Sequence, residues 1–190
     1  MGKGRLEAFT DGVIAIIITI MVLEMKVPHG ADLAAMSESA PVLSAYVLSY
    51  VNVGIFWNNH HHMMHATGHI DGRVLWANLL LLFWLSLVPF VIRWIDEAGL
   101  AALPVAAYGI VLFMAAVAYT LLQWAIVARN GRSSALAVAL GSDRKGKLSL
   151  AAYAASIPLA FLQPWISIAL YVVVALIWLA PDRRIESAVK

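Results

Sequence analysis

Long apolar runs, each ended by a turn or a cluster of polar residues, constrain this chain more than any other feature. A transmembrane helix needs about 20 mostly apolar residues to cross a hydrocarbon core roughly 30 Å thick. Runs of that order lie at Ala8–Val27, Pro41–His65, Val74–Ile95, Ala101–Ala128, Leu148–Leu162 and Trp165–Ala180. Pro28, His29 and Gly30 end the first, and only Gln163 and Pro164 separate the last two, which predicts a tight helical hairpin. With 62% hydrophobic and 13% charged residues and a mean hydropathy of +0.82, the 190-residue chain is too apolar for a soluble domain. The expectation is an all-α membrane protein, one domain over 1–190 with six transmembrane helices. Asp11 interrupts the first run and no small-residue cleavage site precedes Glu24, so this run is expected to remain as a helix of the mature protein.

Basic residues assign an orientation. With the N-terminus in the cytoplasm, Lys3, Arg5, Arg73, Arg129, Arg132, Arg144, Lys145, Lys147, Arg183, Arg184 and Lys190 fall on that side, and only Lys26 and Arg93 fall outside. Eleven against two of thirteen follows the bias of Lys and Arg toward cytoplasmic loops, and five or seven spans would break it. Both termini are therefore expected in the cytoplasm. The 129–147 loop is basic enough to meet anionic lipid head groups, with orientation as its main role.

Topology then brings polar groups to one depth. The first span enters with Arg5, Phe9, Thr10 and Asp11, the second arrives with Trp57, Asn58, Asn59, His60, His61 and His62, and the third leaves with Trp76 and Asn78. An acid costs about 2.5–3.5 kcal/mol at the centre of a membrane helix and less near the interface, so Asp11 is expected to turn inward. Imidazole, amide and indole N–H groups are suitable donors, with His60 or His61 the expected donor to Asp11. Arg5, Phe9, Thr10, Asp11, Trp57, His60, His61, Trp76 and Asn78 are thus expected to form a structural polar network. Two readings stay open: ties between the first three helices only, or a proton or ion relay. At about 3.6 residues per turn, Phe9, Ile16, Ile20, Leu23 and Val27 share one stripe, and Asp11, Ile14, Ile18 and Met25 share the opposite one. Such a stripe commonly packs against other helices or lipid.

Other chemistry finds little support. There are no cysteines, hence no disulfide, thiolate metal site or Cys nucleophile. No phosphate-binding glycine loop, dinucleotide fingerprint, HExxH pair or nucleophile elbow occurs, so no enzyme is expected. His61, His65 and His69 recur along one helical face and suit zinc, nickel or copper, yet no Asp or Glu lies within the stretch; neither metal nor cofactor is expected. Histidine protonation between about pH 5 and 8 can make this polar layer respond to pH. At the outer end Glu24, Asp32 and Glu38 outweigh Lys26, which either concentrates cations or is simply a solvated loop.

Arg5, Phe9, Thr10 and Asp11, in RLEAFTDGVIAI, resemble the R-x-x-x-F-S-D motif that opens the first helix of the transmembrane protein 175 family, the lysosomal potassium channels and their prokaryotic relatives. Thr10 stands where the family usually has Ser and keeps the hydroxyl. Trp57–His61 and Asn78 resemble the family's second and third helices, and six spans in a chain of this size resemble a prokaryotic member. The resemblance covers the whole chain. It implies a potassium-permeable channel in a prokaryotic cell membrane, a homotetramer whose first helices line the pore, with potassium as the permeating ion and no cofactor. The family has no carbonyl selectivity filter, and no TVGYG sequence occurs here. By position from the motif, Ile16, Ile20 and Leu23 would form the constriction, with Thr19 adjacent as a hydroxyl ring; these lie on the stripe that helical spacing picks out. A ring of isoleucines closes by excluding water. The alternative is a proton-coupled secondary transporter or metal-ion carrier using Asp11 and the histidine cluster. Such carriers interrupt helices at mid-membrane, whereas the centre of the first run is continuously apolar.

Overall fold

The structure, a computed structural model, describes residues 2–141 and 143–179. Ala180 at the end of the sixth run, and Arg183, Arg184 and Lys190, lie outside the described residues. The first run forms α1 (Lys3–Leu23), which starts before the apolar stretch and stops short of Val27. A short helix, α2 (Leu33–Glu38), follows, capped by the Asp32 carboxylate, which accepts the Ala35 N–H at 2.8 Å. It leads into α3 (Ala40–His65), where Pro41 sits in the first turn and its missing N–H goes unneeded.

The third run is two helices, α4 (Gly72–Ser86) and α5 (Val88–Ala98), divided at Leu87. Pro89 explains the division: it has no N–H for the Leu85 carbonyl, and its ring crowds that carbonyl. Then come α6 (Ala102–Asn130), α7 (Ala135–Leu140), α8 (Arg144–Leu159) and α9 (Pro164–Leu179). Gly131 ends α6 at φ +89°, a left-handed conformation that suits glycine and turns the chain toward α7. Helix α6 is the centre of the bundle, packed by α4, α5, α8 and α9, while α1 lies against α3, α4 and α5.

Length and composition qualify α1, α3, the α4–α5 pair and α6 to cross a membrane, and α9 is apolar but shorter. The chain is thus an all-helical membrane protein with four candidate spans. Helices α8 and α9 have 16 residues each, about 24 Å at 1.5 Å per residue, under the full hydrocarbon thickness.

Polar ties show which helix ends meet. Lys3 reaches the His65 carbonyl at 3.4 Å, and the Asn130 side chain accepts the His69 N–H at 2.8 Å while donating to its carbonyl at 2.9 Å. Lys145 reaches the Ile177 carbonyl at 3.5 Å, so α8 starts where α9 ends. Lys3, Arg5, Arg73, Arg129, Arg132, Arg144, Lys145 and Lys147 therefore gather at one end of the bundle, with Lys26 and Arg93 at the other.

Gly109 is a point of close approach of α6 to α8 and α9. A Cβ there would run into the Tyr171 hydroxyl and come within 3.1 Å of Ser156 Oγ. Tyr171 donates to the Val105 carbonyl at 2.9 Å, so it cannot retreat without loss of that bond. Gly109→Ala is expected to destabilise the fold by about 1–3 kcal/mol, the usual cost of overpacking. A lower unfolding midpoint in detergent checks this, and an unchanged one would mean that α9 shifts freely.

Candidate functional site

Helix α1 has a packed side and an open side. Leu6, Thr10, Ile14, Ile17 and Met21 are buried, at spacings of three and four residues that make one stripe. Phe9, Ile16, Ile20 and Leu23 are left 48%, 58%, 39% and 80% exposed by the chain that carries them. Thr19 is exposed on the same side, its hydroxyl within 3.0 Å of both the Ala15 and Ile16 carbonyls. Its proton therefore serves its own helix, and only its lone pairs face outward.

Asp11 lies across the helix from Ile16 and Ile20, as the spacing requires, but it does not turn inward. Its side chain stays exposed and accepts one hydrogen bond, from the Trp57 indole N–H at 2.8 Å. The packed stripe lies about a quarter turn from both faces. The physical reason is that polarity contrast marks the two extreme faces of a membrane helix, whereas packing there follows shape and hydrogen bonding. Thr10, fully buried, sits within that packed stripe.

A chain of hydrogen bonds ties three helices together toward the basic end of the bundle. Asn78 on α4 donates to Thr10 Oγ1 at 2.9 Å, and its side-chain oxygen accepts from His60 Nε2 on α3 at 2.8 Å. All three residues are buried. The expectation that His60 or His61 donates to Asp11 is corrected: His60 serves Asn78. His61 is exposed, with its ring centre 6.0 Å from that of Trp57 and 4.4 Å from that of His65. Trp76, 75% exposed, stands outside the bonded set. Arg5 is exposed with no side-chain hydrogen bond among the described residues, and Phe9 belongs to the open stripe. Asn59 faces away toward α6, where its backbone carbonyl accepts from the Tyr119 hydroxyl at 3.2 Å. Successive residues turn by about 100°, so a run of adjacent polar side chains points all round α3 and only part of it reaches α1 and α4.

The end of the bundle opposite the basic residues is held by charge. Arg93 on α5 bridges Glu24 at 2.6 Å and Glu97 at 3.1 Å, and Lys26 lies 3.8 Å from Asp96. Glu24 is therefore a paired acid, Asp32 caps α2, and the Glu38 side chain lies outside the described ones. Among the described residues no three His, Asp or Glu side chains converge as metal ligands. A second buried polar cluster carries no motif and escapes a reading of the sequence: Ser49 bonds Tyr108 at 2.8 Å and Tyr153 reaches Asn52 at 3.4 Å. Tyr108 on α6 and the single tyrosines of α8 and α9, Tyr153 and Tyr171, are its trace in the sequence.

Residues 5–89, which contain the open stripe of α1 and the Thr10–Asn78–His60 chain, match the family model for the endosomal/lysosomal potassium channel TMEM175. A potassium channel of Chryseobacterium sp. (strain P1-3) is 50% identical over 190 residues, all of this chain and 99% of that protein. The crystal structure of a lysosomal potassium-selective channel TMEM175 homolog from Chamaesiphon minutus superimposes with a TM-score of 0.79 at 25% identity, over 95% of this chain and 97% of that one. The endosomal/lysosomal proton channel TMEM175 of Gallus gallus is 40% identical over 73 residues, 32% of this chain but 15% of that protein. The family is one of ion channels and not of enzymes. The match to a bacterial protein over its full length, with the motif of α1 and its partners on α3 and α4, makes this chain a prokaryotic member of the TMEM175 family.

Proposed function

We propose that four copies of this chain form a potassium-permeable channel in a prokaryotic cell membrane, with α1 of each lining a central pore. Residues 1–190 act as one domain that crosses the bilayer six times, α8 and α9 supplying the last two crossings, with both termini in the cytoplasm. The gathering of eight described basic residues at the end where α1 begins supports this orientation. One observation carries the reading: Ile16, Ile20 and Leu23 stand open along a helix whose packed stripe, about a quarter turn away, is anchored by buried bonds. Around a shared axis these side chains make stacked apolar rings that exclude water when narrow, with Thr19 oxygens beside them. An ion that passes must shed part of its hydration, which is harder for sodium than for potassium. Behind the rings, Thr10, Asn78 and His60 fix the rotation of α1, and Trp57 holds Asp11. Arg5, His61 and Trp76 extend that network toward a neighbouring copy, and Phe9 continues the apolar stripe toward the basic end.

The relatives named as potassium channels support potassium, and the proton channel name of the Gallus gallus relative favours a second reading, proton permeation along the same path. Liposomes bearing the purified protein separate the two. Potassium permeation sets a reversal potential that follows the potassium gradient, and proton permeation one that follows the pH gradient. Stoichiometric, saturable proton-coupled uptake, or a monomeric particle, would overturn the channel.

Arg93→Gln tests the outer mouth. Exposed ion pairs contribute little to stability, so the unfolding midpoint is expected to stay put. Glu24, freed from its partner, raises potassium conductance at about 0.01 M salt, where the Debye length is roughly 30 Å, and not at about 1 M, where it is roughly 3 Å. Equal conductance at low salt would place Glu24 away from the ion path.

A further inference from the structure

At the basic end of the bundle α6, α7 and α8 enclose a groove of about 1070 Å³ that the channel reading does not use. Its chemistry changes along its length. Toward the bundle's middle the wall is apolar, made by Val117 and Leu121 on α6 and Leu150 on α8. Toward the end stand Arg132, just past α6, and Lys147, in the first turns of α8; neither side chain has an ion pair or hydrogen bond among the described residues. Asp143 also lines the groove, but its carboxylate accepts the Gly146 N–H at 3.2 Å as the cap of α8. Trp124, 66% exposed, stands at the level between, where an indole favours a membrane interface.

Gln123 makes the groove more than a basic surface. It is 4% exposed, lines the inner wall, and its side-chain amide has no hydrogen-bond partner among the described residues. At 1.5 Å per residue it lies about 10 Å from the end of α6, between the two cations and the apolar wall. A free phosphate would use only the cations, and a bare acyl chain only the apolar wall. A molecule that satisfies all three levels carries an anion, then hydrogen-bond acceptors, then a hydrocarbon chain.

We propose that this groove binds an anionic phospholipid, its phosphate on Arg132 and Lys147, its ester carbonyls toward Gln123 and an acyl chain along Val117 and Leu121. The site needs the chain to be in a bilayer but not that it conducts, so its failure leaves the channel reading untouched. Native mass spectrometry of the full-length protein in detergent, with dioleoyl-phosphatidylglycerol or dioleoyl-phosphatidylcholine added, tests it. Phosphatidylglycerol is expected to bind more tightly, and R132Q/K147Q to weaken it by roughly tenfold to thirtyfold, the loss two interfacial cations produce. Phosphatidylcholine, whose choline offsets the charge of its phosphate, is expected to lose less. R129Q/R144Q removes equal charge from the same end outside the groove and is expected to leave phosphatidylglycerol binding intact. An equal loss in that control, equal binding of the two lipids, or glycerol phosphate binding as tightly as the lipid would each overturn the site.

Discussion

Channels carrying Ile16→Asn or Ile20→Asn are expected to pass potassium about tenfold faster and to lose most of their preference over sodium. The size follows from the proposed fourfold repetition. A tenfold change in rate corresponds to about 1.4 kcal/mol, so in a ring of four each amide need lower the barrier by only about 0.35 kcal/mol. An amide that keeps water in the constriction readily supplies that, because it replaces hydration the isoleucine denies to the ion. Sodium is expected to gain more than potassium, because the smaller ion holds its water more tightly. Val22→Asn is the control: Val22 is also exposed, at 48%, but it lies on the Asp11 side of α1 and should leave selectivity alone. Reversal potentials with potassium on one side and sodium on the other read the result. Unchanged currents in both isoleucine variants would remove these residues from the ion path.

Which parts of this arrangement are legible in the sequence depends on how far the cause lies from the effect. The long helices are legible because apolar length in a bilayer is a property of the run itself; α3 begins at Ala40 and ends at His65, within a residue of the apolar limits. The division of the third run is a local effect of Pro89 hidden by uninterrupted apolarity on both sides. Helices α2 and α7 have six residues each, too few for a periodic pattern to emerge. The open stripe of α1 follows from spacing, but the direction in which α1 packs does not, because Thr10 gains its partner from a residue 68 positions away. The same holds for Arg93 with Glu24, 69 positions apart, and Asn130 with His69, 61 apart. A histidine-rich helix face reads as one cluster in sequence, and the structure distributes it: His60 inward, His61 outward, and His69 in the connector gripped by Asn130.

Asn78→Leu is expected to lower stability by about 2 kcal/mol, and the double variant His60→Leu/Asn78→Leu to recover most of that loss. Asn78 holds two groups, and they fare differently when it goes. Thr10 can turn its hydroxyl to the carbonyl four residues back on α1, as threonines in helices do, so its loss is small. His60 has no such recourse. It is 2% exposed, its Nε2 points at Asn78, and a buried donor left without an acceptor costs about 1–3 kcal/mol. Interhelical hydrogen bonds within membranes average only about 0.6 kcal/mol because the unfolded helices also find partners, so the orphaned imidazole, more than the lost bond, sets the magnitude. Removing the imidazole as well leaves an apolar contact between α3 and α4, which is nearly neutral when both partners of a buried pair are replaced. In a chain of this size about 1 kcal/mol moves the unfolding midpoint by roughly 2–4 °C, so the single variant should melt several degrees lower in detergent and the double close to the parent. A double variant that melts at the sum of its two single losses would show that His60 and Asn78 act separately, and that the rotation of α1 is fixed by Trp57 and Asp11 instead.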